Sequence, residues 1–152
     1  MSNSTKAYLY RQGEGELRWM SDTSTYFLAT GALTGAAFGL VDERAMGGES
    51  VPLHKHDDVE SFYLLEGEVS FFLDGQPGVK TGSGAFVHIP GGTIHGFRVE
   101  SETARYLILT TPLHAEFYRA ITLPTPHAAV DGSVIEKACQ DYGIEFLGPL
   151  PA

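Results

Sequence analysis

Cysteine, basic side chains and long apolar runs are scarce in this chain of 152 residues. The single cysteine, Cys139, rules out an intrachain disulfide. That scarcity fits a reducing cytoplasm, the expected compartment. Lys and Arg number 10 against 19 Asp and Glu, leaving a formal net charge of −9. Phosphate binding needs clustered bases, so nucleic acid is not an expected partner. No apolar run approaches the roughly 20 residues of a membrane span, and no membrane partner is expected. The opening stretch MSNSTKAYLYRQGEGELRW has no apolar h-region, so no secretory signal is read there.

Glycine and proline, by contrast, are plentiful at 18 and 8, which implies many tight turns and favours an all-β architecture. The apolar fraction of 43% is enough for a packed core, and the length suits one domain over residues 1–152. Strand-like stretches run over 26–28, 36–41, 51–56, 61–65, 69–73, 85–89, 96–99 and 105–110, and Tyr8-Leu9-Tyr10 reads as a possible short strand. Turn signals lie between them: Gly31 to Gly35, the polar stretch DERAMGGES, Asp57-Asp58, Glu66-Gly67, Asp74-Gly75, TGSG and Pro90-Gly91-Gly92. Short strands at such spacing indicate a sandwich or barrel. The tail, about 113–145, changes period: 115–120 and 133–142 are helical. Ser133 and Glu136 suggest a capping box, and Gly143 a C-cap. These helices are expected to cover an open end of the barrel.

Chemistry concentrates in GESVPLHKHDDVESFYLLEG, residues 48–67. Side chains two apart on a strand share a face, so His54 and His56 can converge on one point. Glu60 keeps their parity if the strand continues or kinks only slightly. Two neutral imidazoles and a carboxylate suit a first-row divalent metal. His95, after the Gly-rich turn in PGGTIHGF, offers a fourth ligand. Phe62 and Leu64 share the Glu60 face and Phe97 the His95 face. These three are candidate substrate contacts, with Phe71 or Phe72 as further barrel-lining candidates, although plain core is the commoner role for such residues.

The pattern resembles the cupin superfamily. Its first motif, G-x5-H-x-H-x3-E-x6-G, is matched at Gly48, His54, His56, Glu60 and Gly67; its second, at 84–99, is matched at Gly84, Pro90, Gly92 and His95, with Val99 in place of the usual Asn. That Asn is not a ligand. Within cupins the chain is most similar to single-domain quercetin 2,3-dioxygenases, through HKHDDVESFYLLEGEVSFFLDG, FVHIPGGTIHGFR, TPLHAEFYRAI and DYGIEFLGPLP. The resemblance implies a single jelly-roll-like antiparallel β-barrel with short C-terminal helices, and a homodimer. It also implies one divalent transition metal on His54, His56, Glu60 and His95, with nickel or cobalt favoured over manganese, iron or copper. The implied reaction cleaves the heterocyclic ring of a flavonol with dioxygen, giving a depside and carbon monoxide, with Glu60 as the base that takes the 3-hydroxyl proton.

Two alternatives stand beside this reading. One is another metal cupin: a different ring-cleaving dioxygenase, a decarboxylase, a lyase or an isomerase. The other is a non-catalytic small-molecule binder. Lys55, Lys80, Arg98 and Arg105 have no parity that aims them inward, which favours an apolar over an acidic substrate. Among the remaining residues, His88 is expected to be exposed or structural, His114 and His127 to lie in exposed tail loops, and Glu66 and Glu68 to be solvated. Asp57-Asp58 is expected to be a turn, Cys139 packed on a helix, and Trp19 an anchor for the N-terminal segment.

Overall fold

A computed structural model describes residues 5–152. Eleven strands and three helices follow one another as β1 (Glu16–Met20), β2 (Thr23–Ala29), α1 (Gly31–Thr34), β3 (Gly39–Met46), β4 (Ser50–Lys55), β5 (Glu60–Glu66), β6 (Val69–Leu73), β7 (Val79–Thr81), β8 (Phe86–Ile89), β9 (His95–Val99), β10 (Thr103–Thr110), α2 (Pro112–Ala120), α3 (Gly132–Tyr142) and β11 (Glu145–Gly148). They form two antiparallel sheets, ordered β1-β2-β3-β10-β5-β8 and β11-β4-β9-β6-β7. The all-β expectation holds, with the two helices of the tail in place. No described helix is long and apolar enough to cross a membrane.

Alternation explains the sheets. On β3, Val41 and Ala45 are buried while Arg44 and Met46 are exposed, and β10 buries Ala104, Tyr106 and Ile108 in the same period of two. Register then stacks the inward residues into rows across the six-stranded sheet. One row is Phe27, Val41, Ile108 and Phe62; all four are nearly or fully buried, each contributing about 1.5–3 kcal/mol. Two residues along, the next row is Thr25, Glu43, Tyr106 and Leu64. On the other side of the apolar row lie Gly39, Thr110 and Glu60.

Several local expectations change. Asp42 to Met46, read as part of a polar break, continue β3. Their polar groups are satisfied across the sheet: Arg105 donates to both oxygens of Asp42 (3.0 and 2.7 Å), and Arg44 lies 3.6 Å from Glu66. Strands β1, β7 and β11 were not anticipated, and Tyr8-Leu9-Tyr10 lies outside any strand. Tyr8 is instead held by its hydroxyl, which donates to the Leu28 carbonyl at 2.7 Å. Gly31 to Gly35 is a short helix closed by Gly35 in the left-handed region, rather than a simple turn. The N-cap of α3 is Asp131, not Ser133; its carboxylate accepts from the Ser133 N–H at 2.8 Å. Gly143 is the C-cap as expected. Trp19 is tied down by two 2.7 Å backbone hydrogen bonds with Leu123.

Candidate metal centre and the cavity behind it

β4 ends at Lys55 in one sheet, and β5 begins at Glu60 in the other. The Asp57-Asp58 bend between them carries the chain across the mouth of the barrel. Glu60 therefore does not meet the histidines by continuing their strand, as parity suggested. It meets them because both sheets present their inner faces to one interior. His95 is the direct register partner of His54 on β9. The Pro90-Gly91-Gly92 turn packs against the bend closely enough that a Cβ on Gly91 would lie 2.1 Å from the Asp57 carbonyl oxygen, so only glycine fits. The Gly92 N–H donates to the His56 carbonyl at 2.8 Å, joining the two motifs through backbone.

His54, His56, Glu60 and His95 are all buried, and one ligand atom from each lies within 4.8 Å of the others. The imidazoles are oriented from behind by backbone carbonyls. Nδ1 of His54 faces Pro52 O at 2.9 Å, that of His56 faces Asp58 O at 2.8 Å, and that of His95 faces Thr93 O at 2.8 Å. A carbonyl only accepts, so each Nδ1 carries the proton and each Nε2 turns its lone pair to the centre, the tautomer a metal ligand needs. Metal–nitrogen and metal–oxygen bonds of about 2.0–2.2 Å are compatible with that spread of donor atoms. The donor set fits one divalent transition metal.

Electrostatics agree. Burial holds His54 down to about 4, helped by the neighbouring His95. Burial also works against a charge on His56, but the hydrogen bond and negative charge of Glu60 overcome it and raise His56. Burial opposes ionisation of Glu60 too; the imidazoles of His114, His56 and His95 around it outweigh that and hold the carboxyl well below its ordinary range. A proton on His56 and a metal ion are thus alternative occupants of one lone pair, and metal affinity should fall in acid.

Helix α2 contributes two residues that were not anticipated. His114, expected in an exposed loop, is only 2% exposed and faces the centre. Its Nε2 lies 3.3 Å from Glu60 Oε2, and the Tyr118 hydroxyl donates to the same oxygen. The other oxygen, Oε1, faces His56 at 3.2 Å and His95 at 3.0 Å. The carboxylate is therefore gripped on one side by α2 and directed to the histidines on the other. A signal for this was present: Thr111-Pro112 is a cap followed by proline at the first helical position, and His114 and Tyr118 fall four apart on the face that carries Phe117. His88 is exposed beside Ser61, and His127 is exposed, as expected.

Behind the cluster lies a cavity of about 280 Å³. Its wall includes His54 and Glu60, the expected Phe62 and Phe97, and Phe117, Tyr118 and Ile135 from the terminal helices. Leu64 does not reach it and belongs to the packed core, as does Phe71. Phe72 is buried under the Arg98 guanidinium, 5.4 Å from its ring centre. No Lys or Arg lines the cavity among the described residues. Lys55 and Lys80 pair outside with Glu145 and Glu68.

The model of the cupin domain family matches residues 42–110, which contain all four candidate ligands. Residues 42–110 thus resemble a cupin domain. His114 and Tyr118 lie beyond the matched stretch of that domain. Over 123 residues, 80% of the chain, the sequence is 34% identical to the quercetin 2,3-dioxygenase of Bacillus subtilis (strain 168). The chain spans only 36% of that relative's length. Among solved structures, a cupin-like protein from Thermotoga maritima superposes with a TM-score of 0.58 at 15% identity, covering 96% of this chain and 92% of that one. The polyketide cyclase RemF from Streptomyces resistomycificus superposes with a TM-score of 0.59 at 23% identity, covering 71% and 80%. These two likenesses concern the fold alone, and the first of them is to a cupin-like protein.

Proposed function

We propose that this chain is a metal-dependent dioxygenase that opens the heterocyclic ring of a flavonol such as quercetin with dioxygen, releasing a depside and carbon monoxide. The observation that carries the reading is the position of the three-histidine, one-glutamate cluster at the wall of an aromatic-lined cavity that has no Lys or Arg among the described residues. An acidic substrate such as a dicarboxylate would need a cation there; a flat neutral aromatic needs apolar walls. The likeness to the Bacillus quercetin 2,3-dioxygenase supports the same choice over the other cupin chemistries.

In this reading His54, His56, His95 and Glu60 hold one divalent transition metal, nickel or cobalt first. The bound ion supplies Lewis acidity and a template for the substrate's 3-oxygen. The rest falls to the chain. Phe62, Phe97 and Phe117 hold the flat rings and exclude water. Glu60 is ionised, and its Oε1, the oxygen that faces the histidines, takes the 3-hydroxyl proton while His54, His56 and His95 keep the ion. His114 and Tyr118 hold Oε2 so that the other oxygen stays aimed at the substrate. A homodimer that uses the N-terminal strand β1, outermost in its sheet, belongs to the same reading, and light scattering giving 16.4 kDa would exclude it.

The test is an aerobic assay with quercetin on protein loaded separately with nickel, cobalt, manganese and iron. Loss of flavonol absorbance with one carbon monoxide per flavonol, abolished in His54→Ala, is the expected result. No turnover by any loaded form, with metal bound one per chain, would move the assignment to another cupin reaction.

A further inference from the structure

The cavity has a second polar wall that the flavonol reading leaves without a role. On β3, Glu43 shares its parity with Val41 and Ala45 and so points into the barrel, where a carboxylate is out of place. It sits deep in the interior yet keeps surface open to the cavity. Its neighbours in the register row hold it from both sides: the Tyr106 hydroxyl donates at 2.5 Å and Thr25 Oγ1 at 3.1 Å. Glu49, held by the Thr23 hydroxyl, lines the same wall. No Lys or Arg faces these two carboxylates across the cavity among the described residues. In a barrel otherwise filled with aromatic and aliphatic side chains, two inward carboxylates without a cation cost stability, and their own partners are a tyrosine and two threonines. Each carboxylate has acceptor sites left over after those bonds.

Their place in the barrel matters as much as their charge. The Glu43 row and the Glu60 row are four residues apart on β3, β10 and β5, with the apolar row of Val41, Ile108 and Phe62 between them. At the rise of a strand that is about 13 Å. The cavity thus presents acceptors at one end, a donor-hungry metal-ligand cluster at the other, and ring-sized apolar wall between.

We infer that Glu43 and Glu49 form a distal subsite that accepts hydrogen bonds from phenolic hydroxyls on the far ring of the substrate. This rests on the flavonol reading and narrows it: the preferred substrate carries hydroxyls on the ring remote from the reacting oxygen. Acceptors aimed into an apolar cavity favour a ring that donates and penalise one that cannot, because an unanswered buried carboxylate stays desolvated.

The experiment compares quercetin with 3-hydroxyflavone, which keeps the reacting end and lacks the other hydroxyls, on the metal-loaded enzyme. At pH 8, with Glu43 ionised, the wild type should prefer quercetin in kcat/KM by about tenfold to hundredfold, the range of a hydrogen bond to a charged partner. In Glu43→Gln and Glu49→Gln, each checked for wild-type metal content and circular dichroism, that preference should shrink several-fold. An undiminished preference in both variants overturns the inference. A second arm is independent of turnover: anaerobic calorimetry of the loaded wild type with catechol and with its dimethyl ether. Tighter binding of catechol, lost in Glu43→Gln and Glu49→Gln, supports the subsite even if no flavonol is consumed, in which case only the dioxygenase reading fails. Equal binding, or no binding, of the two probes together with an undiminished or absent quercetin preference sinks the subsite.

Discussion

Replacing Glu43 by glutamine should change how the stability of the metal-free protein depends on pH. Burial pushes the Glu43 carboxyl up from 4.5 to about 7; hydrogen bonds from Tyr106 and Thr25 oppose the rise, and the charges of Glu49 and Glu60 add to it. The folded state therefore holds a proton that the unfolded chain has already released. Stability attributable to Glu43 is fully present below about pH 4.5 and is lost as pH rises to about 7. A shift of that size corresponds to about 3 kcal/mol, and water in the cavity would reduce it to about 2 kcal/mol. Glutamine has the same shape and no proton to lose. The stability of Glu43→Gln minus wild type should rise by about 2–3 kcal/mol between pH 4.5 and pH 8. Urea unfolding of both proteins across that range measures it. His54, held down to about 4, gives the opposite trend, destabilising the fold as pH falls through its ordinary 6.5. That trend is common to both proteins and cancels in the difference. Two parallel curves, separated by a constant, would refute the assignment of Glu43 as a buried group protonated near neutrality.

Four further perturbations have defined outcomes. Glu60→Gln should keep at least half of the metal by elemental analysis and lose turnover by about a hundredfold or more; near-normal turnover would remove Glu60 from the role of base. His54→Ala should lower metal content at least about tenfold while leaving the barrel folded by circular dichroism, since it removes a ligand whose Nδ1 partner is only a backbone carbonyl. Tyr118→Phe withdraws a donor from a buried carboxylate and should cost about 1–3 kcal/mol in urea unfolding of the metal-free protein; an unchanged midpoint would mean that His114 alone satisfies Oε2. Gly91→Ala puts a methyl group against the Asp57 carbonyl and should cost at least about 2 kcal/mol and weaken metal binding, because the bend it displaces carries His56 and Glu60; unaltered metal affinity would show that the turn does not set the site.

Two kinds of information in the sequence reached the structure by different routes. The four candidate ligands were legible because their spacing is a local pattern, readable within about fifty residues. The reason given for Glu60 was still incomplete: parity along one strand is a local rule, whereas the chain changes sheets at Asp57-Asp58. Glu43 was hidden by a prior that polar runs are loops. Asp42, Glu43 and Arg44 continue a strand because Arg105, Tyr106 and Glu66, far along the chain, supply their partners. His114 was expected in an exposed tail loop, although Pro112 stands two residues before it. Proline at that position starts α2, and the helix turns the imidazole inward. Strands β7 and β11 are short, at 3 and 4 residues, with little alternation to read; they are strands because β6 and β4 lend them a ladder.

The partner of β4 has a consequence for how the molecule is made. Phe146 on β11 lies opposite His54, and Lys55 opposite Glu145, so the strand that carries the first histidine is flanked by a segment synthesised ninety residues after it. On a ribosome adding about 5–20 residues per second, that strand waits roughly 5–18 seconds with one edge unpaired. During the wait His54 stands on an unpaired edge, and the barrel wall it will join is unfinished.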